Sequence, residues 1–175
     1  CKNPAASEYE SLSVYVPGAY MKGTPNADGT YTCQISDKGK VGEYTARTAP
    51  VIMPVNTGGY AAQKAPSSYA PKGLNTYLSQ GFVYVFAGCR GRDNGTNPDG
   101  TAFDGGAPWG VTDLKAAVRY LRYNDSFLPG NKNRIFTFGH SGGGAQSALM
   151  GATGDSELYR PYLDSIGALM KDDQG

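Results

Sequence analysis

The sequence predicts an α/β fold, a mostly parallel sheet with helices on both faces. Three observations predict it. Ala49–Val55 is a continuous apolar run, which marks a strand covered on both sides, and Phe82–Ala87 and Arg134–Phe138 read as two further buried strands. Stretches with helical spacing separate those runs, the pattern of β-α-β units and a parallel sheet. The third run leads directly into a serine held between glycines, and helix-compatible residues follow it.

The elements can be justified in order. Leu12, Val14 and Val16 alternate with Ser11, Ser13 and Tyr15, a period-two strand with one wet face, closed by Pro17-Gly18. Residues 22–47 are polar, with turn signals at Asn26-Ala27-Asp28-Gly29 and Asp37-Lys38-Gly39, and read as a hairpin or surface excursion. Pro54 near the end of the 49–55 run suits a strand terminus. Asn56-Thr57-Gly58-Gly59-Tyr60 follows, then a polar loop bearing prolines. Leu74, Tyr77 and Leu78 form a short helical face ended by Gly81. After the second strand comes a Gly-rich loop over residues 88–110. Val111, Leu114, Val118 and Leu121 then fall at spacings of three, four and three, a helix with Thr112 as N-cap and Pro129-Gly130 as stop. Residues 157–170 read as a final helical piece.

The candidate reactive centre is Ser141. It lies in Gly139-His140-Ser141-Gly142-Gly143, a G-x-S-x-G pattern between a strand and a helix. The bend strains the serine backbone, and side chains two positions away on either side would strike neighbouring backbone, which accounts for the glycines. The bend aims the hydroxyl out of the carboxyl edge of the sheet, over the amides and positive dipole end of the next helix. With 25 glycines in the chain the bare pattern is weak, and its strand-and-helix context is what gives it weight. Acyl transfer also needs donors for the developing oxyanion. The Gly142 amide, just after the serine, is one. Gly58 and Gly59, directly after a buried strand and upstream, are in place to give the other.

The base is missing. The one histidine, His140, adjoins Ser141, and neighbours on a tight bend point apart, so it reads as a positional or pocket-lining residue. After Ser141 come only Asp155, Glu157, Asp164, Asp172 and Asp173, with no histidine. The chain is therefore expected to be the N-terminal part, residues 1–175, of a single larger catalytic domain, inactive alone, with an acid–His pair supplied by a further polypeptide or remaining chain. At the start of the 88–110 loop, Arg90, Arg92 and Asp93 stand where active-site rims lie. Arg90 is expected to be tied to Asp104 or Asp113 and to pin the loop; a polar, substrate-facing rim is the alternative. Trp109 and the tyrosines read as packing residues.

A net charge of +1 argues against nucleic acid or an anionic membrane surface as partner. No apolar run approaches the ~20 residues that span a bilayer. No signal-like start is present, so the chain is intracellular, processed or cut from something longer, while abundant Gly, Tyr, Ser and Asn faintly favour a secreted or cell-surface setting. Cys1, Cys33 and Cys89 have no metal-binding spacing. Cys89 reads as a small buried side chain and the others as loop positions, with a Cys33–Cys89 disulfide left open. No metal or organic cofactor is implied.

Several runs carry a resemblance. Thr48-Ala49-Pro50-Val51-Ile52-Met53-Pro54, Gly58-Gly59-Tyr60, Ala87-Gly88-Cys89-Arg90-Gly91-Arg92 and Asp113-Leu114-Lys115-Ala116-Ala117-Val118-Arg119-Tyr120 resemble the bacterial subtype B tannases and their feruloyl-esterase-like relatives. Leu128-Pro129-Gly130, Asn133-Arg134-Ile135 and Gly151-Ala152-Thr153-Gly154-Asp155-Ser156 do so too, in the same order, so the likeness runs from about Asn3 to Ala168. It implies an α/β-hydrolase with a lid domain, Ser141 as nucleophile, and an oxyanion hole from Gly142 with Gly58 or Gly59. It also implies hydrolysis of phenolic-acid esters such as those of gallate or hydroxycinnamate. The family bend reads G-T-S-A-G-G where this chain has His140 and Gly142. The family's acid, histidine and gallate-gripping residues lie in a later half and have no counterpart here, and its chain extends further before Asn3-Pro4. Two rivals are a serine peptidase of the prolyl-oligopeptidase or X-prolyl type, and a non-catalytic hydrolase-like binding domain.

Overall fold

The computed structural model describes residues 1–92, 99 and 106–171. Among the described residues, four strands form the main sheet: β1 (Leu12–Tyr15), β6 (Val51–Val55), β7 (Val83–Ala87) and β8 (Ile135–Gly139), in the order β1-β7-β6-β8. β6 is parallel to both β7 and β8, and β1 closes the far side antiparallel to β7. This is the expected mostly parallel α/β sheet. The polar stretch after β1 is an excursion of two small hairpins, β2 (Met21–Pro25) with β3 (Tyr31–Ile35) and β4 (Lys40–Val41) with β5 (Tyr44–Thr45). Tyr20 anchors it by donating its buried hydroxyl to the Gly81 carbonyl at 2.7 Å.

The side-chain period of two divides β6 between two cores. Val51, Met53 and Val55 face Leu114, Ala117 and Leu121 of helix α2 (Trp109–Tyr123), together with Val83, Val85 and Ala87 of β7. Ile52 points the other way, joining Tyr15, Tyr84 and Leu74 under the short helix α1 (Asn75–Leu78). Helix α3 (Gly142–Ala152) shares the α2 face, and α4 (Arg160–Ser165) packs outside it through Leu163 and Ile166 against Ala116. Helices therefore occupy both faces, one of them thinly. β7 pairs with β6 only at Val51 and Ile52, so Pro54 falls where its missing amide breaks no ladder to β7. Beyond Ile52 the two strands part, which opens a crevice at their carboxyl ends.

Some expectations require correction. β8 is not buried: it is the outer strand, and Phe136 and Phe138 are 49% and 44% exposed. The Tyr15 face of β1 is not wet, because Tyr15 packs against Tyr69 with ring centroids 5.9 Å apart. Thr112 is not the N-cap. α2 starts at Trp109 after Pro108, and the Thr112 hydroxyl donates to the Pro108 carbonyl at 3.0 Å. The tail is a 3-10 turn, Glu157–Tyr159, followed by the single short helix α4. The three cysteines are free thiols. Cys33 lies exposed on β3, whereas Cys89 is fully enclosed, and burial pushes its thiol up to about 12.

Candidate active site

β8 ends at Gly139, and Ser141 makes the bend into α3 with φ 55 and ψ −124. For a non-glycine residue this is a costly backbone conformation, and it persists only where packing imposes it. The glycines show what imposes it. A Cβ on Gly143 would lie 2.0 Å from the Val55 carbonyl oxygen, and one on Gly139 would lie 2.2 Å from the same atom. A Cβ on Gly142 would lie 2.4 Å from the Thr57 carbonyl oxygen and 2.8 Å from the Tyr60 nitrogen. The start of α3 thus rests directly on the chain that leaves β6, closer than any other residue type permits. Ser141 itself is exposed.

That chain is the upstream glycine turn. Gly58–Tyr60 form a 3-10 turn in which Gly59 and Tyr60 both adopt positive φ, 62 and 61. Tyr60 donates its amide back to Thr57 at 2.9 Å and remains 47% exposed beside the bend. Among the described residues, the amides of Gly58, Gly59 and Gly142 donate to no protein acceptor. The structure therefore brings together Ser141, Gly142, Gly58 and Gly59 at the carboxyl edge of the sheet, where unfilled donors of this kind suit an anion. The ring of His140 makes no hydrogen bond to Ser141.

Three sets of polar contacts hold the edge. Thr57, fully buried, donates its hydroxyl to the side-chain oxygen of Gln146 on α3 at 2.5 Å. Gln63 bridges the crevice: its side chain accepts from the Asn56 amide and donates to the Ala87 carbonyl, both at 2.6 Å, while its backbone pairs with Cys89. Arg90 is 1% exposed and gives Asp113 bonds from its backbone amide, Nε and Nη2 at 2.9, 2.8 and 2.7 Å, with its guanidinium stacked 4.4 Å from the Trp109 ring. Of the two acids expected to hold Arg90, Asp113 does so; Asp104, like Asp93, lies outside the described residues. Burial pushes the Asp113 carboxyl up, against the opposing pull of Arg90. Arg92 supports the glycine turn by donating its amide to the Tyr60 carbonyl at 3.0 Å.

Thr57, Gln63 and Gln146, which tie this edge together, carry none of the sequence spacing that marks Ser141 and the glycines. A glutamine in a helix has no signature until its partner is known. A groove of about 630 Å³ between α2, α3 and β8, lined by Lys115, Arg119, Arg122 and Met150, lies apart from this site. Among the described residues there is no cluster that could hold a metal ion.

The BD-FAE family profile matches residues 41–166. Among solved structures, a tannase from Fusobacterium nucleatum is 38% identical with a TM-score of 0.80, covering 98% of this chain and 34% of its own. A tannase from Lactobacillus plantarum is 35% identical with the same TM-score and covers 98% and 34%. A tannin acyl hydrolase in complex with ethyl gallate is 38% identical, TM-score 0.78, covering 98% and 35%. The chain thus spans about a third of the length of these relatives. No match was found among curated protein sequences.

Proposed function

The chain belongs to the BD-FAE family of α/β-hydrolases, and from that premise we propose that it is the nucleophile-bearing part of a serine carboxylic-ester hydrolase acting on esters of phenolic acids, gallate or hydroxycinnamate. Ser141 Oγ attacks the ester carbonyl. The carbonyl oxygen, gaining charge, is received by the Gly142 amide and that of Gly58 or Gly59. Collapse expels the alcohol and leaves an acyl-enzyme, which water then hydrolyses through a second tetrahedral intermediate. A histidine oriented by a carboxylate takes the Ser141 proton, gives it to the leaving alcohol, and repeats the exchange with water.

That pair is supplied by a further polypeptide or remaining chain, since the one histidine here makes no bond to Ser141. Two features support its packing beside β8. The strand ends two residues before Ser141, no described strand pairs with its outer edge, and Phe136 and Phe138 are half-exposed on its Ile52 face. The substrate class is supported by the relatives, which are tannases, one of them bound to ethyl gallate.

The observation that carries the reading is Ser141 at positive φ, followed by Gly142, which packs against the Gly58–Tyr60 turn, with the amides of Gly58, Gly59 and Gly142 donating to no protein acceptor among the described residues. Its test is Ser141→Ala in the full protein, expected to abolish hydrolysis of gallate and hydroxycinnamate esters and labelling by a fluorophosphonate. Undiminished hydrolysis by that variant would sink the reading. Faster turnover of proline-containing amides than of phenolic esters would transfer it to a peptidase. Residues 1–175 alone are expected to hydrolyse neither.

A further inference from the structure

We infer that Gln146 is a positioning residue that holds the two halves of the oxyanion cradle in register through Thr57. The inference rests on the esterase reading above and names what keeps its site in shape. The cradle is drawn from two separate pieces of chain. One half is the Gly142 amide, rigidly part of α3. The other is the Gly58-Gly59 turn, which leaves β6 in a strained conformation with both Gly59 and Tyr60 at positive φ. Such a turn keeps its shape only where its surroundings over-determine it. Its outer side is tied by Arg92, whose amide donates to the Tyr60 carbonyl, and that bond fixes the turn to β7's loop rather than to the serine.

Among the described residues, one side-chain hydrogen bond crosses from the turn to the helix that follows Ser141. Thr57, the residue before Gly58, is 0% exposed and gives its hydroxyl hydrogen to the Gln146 side-chain oxygen. Gln146 is 6% exposed and sits five residues after Ser141 on α3. Its other end is fixed by close packing: a Cβ on Gly110, at the start of α2, would lie 2.4 Å from its amide nitrogen. The Gln146 side chain is thus clamped between α2 and the turn. A dry bond of this kind holds geometry strongly, because breaking it leaves an unpaired polar group with no water to replace the partner. Donors must stand within a few tenths of an ångström of the place where the oxyanion forms, and a shift of about 1 Å can cost about a hundredfold in rate.

The test is steady-state kinetics on a phenolic ester with the full protein, for Gln146→Met, Thr57→Val, the double variant and Thr57→Ser. Gln146→Met and Thr57→Val remove one partner each while keeping shape. Each is expected to lower kcat about ten- to a hundredfold with KM changed less than about threefold, and to weaken a trifluoromethyl ketone, whose adduct carries the oxyanion, by a similar factor. The double variant is expected to be no worse than the poorer single one, and Thr57→Ser to restore most of the rate. A role in stability alone would lower the melting temperature without moving ketone affinity, and would overturn the proposal. So would additive losses, or a Thr57→Ser as slow as Thr57→Val. Should the variants fold poorly, Thr57→Ser beside Gln146→Glu decides it, since the carboxylate keeps the acceptor; loss in both overturns the latch. Wild-type rates in the latch variants with a dead Ser141→Ala would remove this inference and leave the esterase reading intact. An active Ser141→Ala would remove both.

Discussion

The two flanks of the sheet are built to opposite rules. On one side β1 is short, antiparallel and covered. Tyr15 is buried against Tyr69 and accepts from the Ala70 amide, and the Ser13 hydroxyl donates to the Pro66 carbonyl. The residues before β1 are fastened beneath it by Glu10, whose Oε1 lies 3.8 Å from the buried Arg90 guanidinium. On the other side β8 is parallel, no described strand pairs with its outer edge, and Phe136 and Phe138 are half-exposed on the Ile52 face. A regular, apolar, uncovered strand is a template for pairing, and soluble proteins usually blunt such edges with charge, proline or short length. The covered flank shows what a finished edge looks like in this fold. The bare one is the flank beside Ser141, where the further polypeptide proposed above is expected to pack.

The comparison can be broken most forcefully at the anchor of the covered flank. Asp113→Ala leaves the Arg90 charge enclosed without its bidentate partner and is expected to cost about 3–5 kcal/mol, measured by urea denaturation. A loss below about 1 kcal/mol would mean that the pair anchors nothing. Next comes a direct contrast of the flanks. Tyr15→Ala should cost about 3 kcal/mol, as for other buried aromatic rings, whereas Phe138→Ala in residues 1–175 should cost less than about 1 kcal/mol. The Phe138→Ala figure should rise toward that of Tyr15→Ala in the full protein, where the proposed further polypeptide covers β8. Equal values in the two settings would leave β8 a free edge.

This contrast also explains how much could be read from the sequence. The runs that became β6, β7 and β8 are all rich in strand-favouring residues, continuous and apolar in β6 but interrupted by Thr137 in β8, and the helical stretches between them placed all three in one parallel sheet. Such a run reports that a strand belongs inside, not whether its cover is present. Phe136 and Phe138 therefore read as buried although they are half-exposed here. The site was legible where backbone geometry demands a particular residue. Gly139, Gly142 and Gly143 stand against carbonyls that no side chain could approach, and such constraints leave a spaced signature in the sequence. Thr57, Gln63 and Gln146 left none, because a hydrogen bond between residues 89 positions apart has no local pattern. Arg90 with Asp113 was legible in part: a loop arginine wants an acid, and only the fold says which. Thr112 has the residue type of a cap but lies inside α2, because Pro108 occupies the cap position without a side-chain bond.

The smallest expected effect sharpens the covered flank most finely. Glu10 accepts from the Ala6 amide through Oε2, while its Oε1 is enclosed and has no hydrogen-bond partner. Burial pushes its carboxyl above the ordinary glutamate range; the Ala6 amide opposes that, the Asp113 charge adds to it, and the Arg90 charge again opposes it. A carboxyl raised in the folded state binds its proton more tightly there than in the unfolded chain. Its contribution to stability is therefore complete below the ordinary glutamate range and is lost as pH rises through the raised value. Glu10→Gln keeps an acceptor for Ala6 and removes the titration, so the variant should melt at a higher temperature than wild type near neutrality. The difference should shrink as pH falls through the glutamate range. Asp113 titrates in both proteins, so subtracting one melting curve from the other isolates Glu10. The reverse slope, with wild type gaining on the variant as pH rises, would make Glu10 an ionised partner of Arg90. The flank would then be fastened by an ion pair rather than by a neutral carboxyl packed in place.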